Sequence, residues 1–169
     1  MKVIIAGGSG LIGSQLAAKL REDGCEVGIL TRKAGGVGAD GCRRVQWDGR
    51  TVGPWLAELE GVDALINLAG ENLGASTWTP SRKAALLASR VDSTRALALA
   101  VLAAKKPPRV FIQASAIGYY GSRGDETLDE TSSIGEGFLA EICQAWEAEA
   151  APVKAAGLRL VTIRTGLVL

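Results

Sequence analysis

The sequence predicts an α/β protein: a doubly wound, parallel sheet of about six strands in the order 3-2-1-4-5-6, with helices on both faces. Three observations carry this expectation. Short β-branched apolar runs recur six times, longer helical stretches separate them, and a glycine-rich turn joins the first run directly to the first helix. The 169 residues have the size of one ordinary domain, so residues 1–169 read as a single unit with its own core.

Each element has a local reason. Val3 to Ala6 is a buried strand, and Leu11 to Glu22 an amphipathic helix that ends near Asp23-Gly24. Glu26 to Leu30 is the second strand. Ala34 to Gly41 is glycine-rich and reads as a loop, and Arg43 to Trp47 is the third strand. Trp55 to Glu60 is a short helix, and Ala64 to Leu68 is the fourth strand, with a continuous apolar core. A long helix follows: Thr79 can cap it, Pro80 suits its first turn, and it runs to about Ala104 before Pro107-Pro108 stops it. Arg109 to Ala114 is the fifth strand. Ser115 to Gly137 is a polar, glycine-rich loop, long enough to suggest a function. Phe138 to Ala156 is the last helix, closed by Gly157, and Arg159 to Arg164 the sixth strand.

Composition removes several kinds of chemistry. Lys plus Arg (19) and Asp plus Glu (18) nearly cancel, which gives no support to nucleic-acid binding. Histidine is absent, so Ser-His and Cys-His nucleophile pairs and imidazole-dependent metal centres are excluded. Cys25, Cys42 and Cys143 are widely spaced and read as reduced thiols, with no disulfide framework or zinc spacing. The apolar run after Met1-Lys2 is too short for a signal peptide, and no stretch approaches membrane-spanning length. A cytoplasmic protein without membrane partners is the expectation.

Gly7-Gly8-Ser9-Gly10-Leu11-Ile12-Gly13 lies between the first strand and the first helix, and satisfies both GxxGxxG and GxGxxG. Such a turn needs glycine for positive φ, for close approach of the backbone to a pyrophosphate, and for tight packing of helix on strand. Amides of Leu11 and Ile12 would face the anion from the helix N-terminus. Glycine turns also serve as plain connections, but the strand–turn–helix context here is that of the Rossmann dinucleotide site. At the end of the second strand, an NAD site places a carboxylate against the ribose 2′-hydroxyl. Leu30-Thr31-Arg32-Lys33 instead offers a hydroxyl and two cations, which favours the 2′-phosphate of NADP; the alternative is a pair of solvated loop charges.

The glycine loop is one of several marks that stand in a familiar order. Asn67-Leu68-Ala69-Gly70-Glu71-Asn72, Trp78-Thr79-Pro80, Ser89-Arg90-Val91, Ser115-Ala116-Ile117-Gly118-Tyr119-Tyr120-Gly121 and Arg164-Thr165-Gly166 follow it. Together they resemble the "epimerase family" of atypical, extended-type short-chain dehydrogenases/reductases, related to human short-chain dehydrogenase family 39U. The resemblance spans essentially the whole chain. It implies the amino-terminal, cofactor-binding portion of a longer protein, whose carboxy-terminal half completes the substrate cleft and is lacking here. It also implies cofactor contacts at Leu68, Ala69 and Gly70, at Arg90 and at Val168. On the residues alone, the first three are equally a buried strand end with a turn, Arg90 a salt-bridge partner, and Val168 an apolar strand end.

Short-chain dehydrogenases combine a Ser or Thr with Tyr-x-x-x-Lys, the tyrosine exchanging the proton. Ser115 is placed for the first role, but the stretch from Phe138 to Glu147 contains neither tyrosine nor lysine. Tyr119 or Tyr120 is then the candidate proton donor, against ordinary loop packing; Cys143 reads as core. Arg164 could meet a substrate anion or pair with a carboxylate such as Glu147. Two functions follow. One is an NADP-dependent oxidoreductase, nucleoside-diphosphate-sugar-epimerase-like, acting on a small molecule. The other is a non-catalytic NADP-binding regulatory module, which suits relatives linked to cell or organelle division. A homodimer covering apolar surface at the sheet's carboxyl edge is a further expectation.

Overall fold

The computed structural model describes residues 1–33 and 35–168. The strands are β1 (Lys2–Ala6), β2 (Glu26–Thr31), β3 (Gly36–Val37), β4 (Arg43–Gln46), β5 (Ala64–Asn67), β6 (Val110–Ala116) and β7 (Leu160–Thr165). The helices are α1 (Leu11–Glu22), α2 (Pro80–Ala103) and α3 (Phe138–Ala155), with 3₁₀ turns at Pro54–Leu59 and Ile117–Tyr120.

One seven-stranded sheet has the order β3-β4-β2-β1-β5-β6-β7. All neighbours are parallel except β3, which pairs antiparallel with β4 through Gly36↔Arg44 and Val37↔Arg43. Without β3, the order is the expected doubly wound one. The extra strand lies in the expected loop Ala34 to Gly41, of which Ala34 falls outside the described residues. A two-residue strand is too short to show a period of two, so backbone pairing alone reveals it.

Side-chain alternation on the central strands explains why both faces are covered. Ile4 and Ala6 face one core, with Leu65, Phe111, Leu97 and Val101 of α2 and Ala150 and Val153 of α3. Val3 and Ile5 face the other, with Val27, Ile29, Ile66 and Ala17 of α1. Thr79 caps α2 by accepting a hydrogen bond from the Arg82 amide, and Pro80 occupies the first turn, as the sequence indicated. The short helix expected at Trp55 to Glu60 is a 3₁₀ turn opened by Pro54. The loop expected from Ser115 begins later: Ser115 and Ala116 pair with Arg164 and Thr165, so β6 extends through them. No described helix is long and apolar enough to cross a membrane.

Candidate functional site

The carboxyl ends of β1, β2, β4 and β5 open onto one cavity of about 640 Å³, within the range of small-molecule sites. Residues singled out in the sequence line it: Gly7, Gly10, Thr31, Arg32, Lys33, Leu68, Ala69 and Gly70. Its floor is built so that no larger residue fits. Gly7 has φ +80°, and a Cβ there would come 2.6 Å from the Leu68 carbonyl; a Cβ on Gly13 would come 2.3 Å from the Gly7 oxygen. Gly10 caps α1 with backbone alone, no acidic residue stands in the first turn, and the side chains of Leu11 and Ile12 are exposed. First-turn amides of an α-helix have no intrahelical acceptor. The cavity wall at Gly10 therefore offers donors to an anion.

The opposite wall is stapled to its surroundings. Asn67 is fully buried; its Nδ2 donates to Thr94 Oγ1 (2.8 Å) and Gln113 Oε1 (2.9 Å), and its Oδ1 accepts from the Ala69 amide (3.0 Å). Trp146 Nε1 donates to the same Thr94 hydroxyl at 2.8 Å, which ties α3 into the network. The next residues are held from α2. Ser89 Oγ accepts from the Glu71 amide, Arg90 Nη2 donates to the Glu71 carbonyl, and Arg82 donates to the Asn72 carbonyl and pairs with the Glu71 carboxylate.

Arg90 is buried. Its guanidinium lies over the Trp146 ring and also donates to the Leu86 carbonyl, and burial pulls its pKa below the ordinary arginine range. Among the described residues it meets no carboxylate as a salt-bridge partner, and it does not line the cavity; it supports Gly70 from beneath, where a Cβ would come 3.1 Å from its Cζ. Val168 lies exposed past β7, away from the cavity lining.

The candidate catalytic residues form a separate cluster at the carboxyl ends of β6 and β7. Ser115, buried, donates from Oγ to Glu147 Oε1 at 2.6 Å. Glu147 on α3 also accepts from Arg164 Nε and Nη2, both at 2.9 Å, and so holds the guanidinium pKa well above its ordinary range. The third arm of Arg164 donates to Tyr120 Oη at 2.9 Å, and its Cζ stands 3.5 Å from the centre of the Tyr119 ring. Of the two alternatives for Arg164, the structure shows pairing with Glu147. The neighbouring Cys143 thiol is buried, which pushes its pKa up and makes it a poor nucleophile. Among the described residues no group of side chains could hold a metal ion.

Sequence reasoning missed the Asn67–Thr94–Gln113–Trp146 network and Trp47-Asp48-Gly49-Arg50, which also line or support the cavity. The second had a signal: it follows directly on the third strand, at the carboxyl edge where ligands bind in such sheets. The network had none, because its hydrogen-bonded pairs lie 27 to 52 residues apart in the chain.

Comparison with known proteins agrees with this fold. Epimerase family protein ML0860 of Mycobacterium leprae is 40% identical across 99% of this chain and 52% of its own length. The crystal structure of human epimerase family protein SDR39U1 (isoform 2) with NADPH superposes with a TM-score of 0.83 at 31% identity, covering all of this chain and 55% of that one. A nucleoside-diphosphate sugar epimerase from Corynebacterium glutamicum gives 0.82 at 40% identity, covering all of this chain and 34% of that one. The chain spans about half the length of the curated relatives it matches. Residues 3–166 match the family described as "NAD dependent epimerase/dehydratase family", and the chain belongs to that family.

Proposed function

We propose that this chain is the NADP(H)-binding domain, over residues 1–169, of an oxidoreductase resembling nucleoside-diphosphate-sugar epimerases, the substrate being a small molecule bound with help from a further part of the protein. One observation carries the reading. The cavity that joins the glycine loop to the end of β2 meets Thr31, Arg32 and Lys33 there, where an NAD site would put a carboxylate. The Lys33 amide donates to Thr31 Oγ1 at 3.2 Å, which leaves the threonine hydroxyl proton for an acceptor in the cavity. The cradle left by Gly7 and Gly13 fits a diphosphate held by the amides of Leu11 and Ile12. Leu68, Ala69 and Gly70 form the wall beside the adenosine ribose, Arg90 supports that wall, and Val168 approaches the nicotinamide. NADPH in the human relative's structure supports the same choice. When bound, the cofactor supplies or accepts a hydride.

Ser115 and Tyr119 remain the candidates for proton handling, with Tyr120 beside them. The second reading, a regulatory module that binds NADP without turnover, is favoured by one contact: the Ser115 proton is committed to Glu147. Self-association is part of the proposal too, because β7 is an edge strand with Ile163 exposed; a clean monomer in sedimentation velocity would remove it.

Titration with NADPH and NADH tests the cofactor reading. Wild type binds NADPH at least about tenfold more tightly, and Arg32→Asp, which puts a carboxylate at the strand end, lowers NADPH affinity and reverses the preference. Equal affinities in wild type would defeat it.

A further inference from the structure

We infer that Arg50, on the loop after β4, is a specificity-determining residue for the cofactor, and that it grips the 2′-phosphate together with Arg32 and Lys33. The inference rests on the NADP reading and adds a third cation from a second strand end.

Arg50 lines the same cavity as Thr31, Arg32 and Lys33. Its position is imposed by a stiff turn. Asp48 Oδ1 accepts from the amides of Arg50 and Thr51, both at 2.8 Å, and Oδ2 accepts from the Thr51 hydroxyl at 2.6 Å. Gly49 supplies the positive φ (+82°) that the turn requires. The indole N–H groups of Trp47 and Trp55 both donate to the Thr51 carbonyl, at 3.1 and 3.0 Å. The turn is stitched to the end of β2 as well, because the Trp47 amide donates to the Thr31 carbonyl at 2.8 Å. Arg50 and Arg32 therefore stand at one mouth, although 18 residues separate them in the chain.

The Arg50 guanidinium is also available. Its side chain is 72% exposed, and its ion-pair contact is with Asp92 at 3.9 Å, too long for a hydrogen bond. Asp48, the carboxylate beside it, has its oxygens committed to three donors within the turn, which hold its pKa below the usual carboxylate range. Three cations against Asp48 and the more distant Asp92 still leave the mouth net positive, since Glu71 and Arg82 elsewhere on the lining pair with each other; a net positive mouth suits a phosphate monoester dianion and offers a ribose hydroxyl little.

Calorimetric titration with 2′,5′-ADP and with ADP separates this from its alternatives, using wild type, Arg50→Ala, Arg50→Lys and Arg109→Ala. Arg109 sits just before β6, at the opposite end of the sheet, and its loss controls for net charge. Arg50→Ala is expected to weaken 2′,5′-ADP about tenfold while changing ADP by less than about twofold; Arg50→Lys recovers part of the loss, and Arg109→Ala matches wild type. Equal weakening of both ligands, or no change with 2′,5′-ADP, overturns the role of Arg50 while a wild-type preference for 2′,5′-ADP leaves the NADP reading standing. A wild type that binds both ligands equally overturns that reading and the inference with it.

Discussion

Removing the Glu147 carboxylate should destabilise the whole domain, because one side chain holds β6, β7 and α3 together at a single point. It accepts from Ser115 and twice from Arg164, and both partners of the ion pair are only 18% exposed. Breaking a buried pair from one side costs about 3–5 kcal/mol, since the surviving charge stays desolvated. Some water reaches this pair, and Tyr120 keeps one arm of the guanidinium, so the low end applies to Glu147→Ala: about 3 kcal/mol. Unfolding entropy of about 2.1 cal/mol/K per residue, over 169 residues, converts this to a fall in Tm of about 8 °C. The assay is a double-mutant cycle by urea unfolding, with Glu147→Ala, Arg164→Met and the two combined. The double variant should be less destabilised than the summed singles by about 2 kcal/mol, because it strands no charge. Additivity within about 0.5 kcal/mol would refute the argument and return Arg164 to the role of a free anion-binding group.

Three further outcomes follow from the same contacts. Gly7→Ala places a Cβ against the Leu68 carbonyl at a positive φ, and should abolish nucleotide binding even where the variant still folds by circular dichroism; binding within about twofold of wild type would contradict the tight floor. Asn67→Leu removes both hydrogen-bonding groups of the side chain, strands the Ala69 amide and the Gln113 side-chain oxygen, and should cost about 2–4 kcal/mol in urea unfolding, a loss below about 1 kcal/mol showing the network to be dispensable. The Asp48 carboxyl is depressed by the Thr51 hydroxyl first, then by the Thr51 and Arg50 amides. A depressed folded value means its contribution is complete above the unfolded value near 3.8 and is lost as pH falls through the lower folded one. The stability gap between wild type and Asp48→Asn should accordingly be present at pH 7 and shrink below about pH 4; a gap constant down to pH 2.5 would exclude the turn as its source.

Sequence alone determined the elements whose causes are local. The β1–α1 glycine turn, the Thr79-Pro80 start of α2, the six parallel strands and their order, and the Thr31-Arg32 end of β2 all follow from periodicity, capping and turn chemistry within short windows. Tertiary structure decided whatever depends on distant partners. It buried Arg90 under Gly70, where a helix position alone suggested a surface cation. It gave Ser115 a carboxylate from α3, extended β6 by pairing it with β7, and brought Arg50 to the mouth marked by Arg32. The physical reason is range: dihedral preferences and hydrophobic period act over a few residues, whereas the satisfaction of a buried polar group depends on which strand or helix the fold lays beside it.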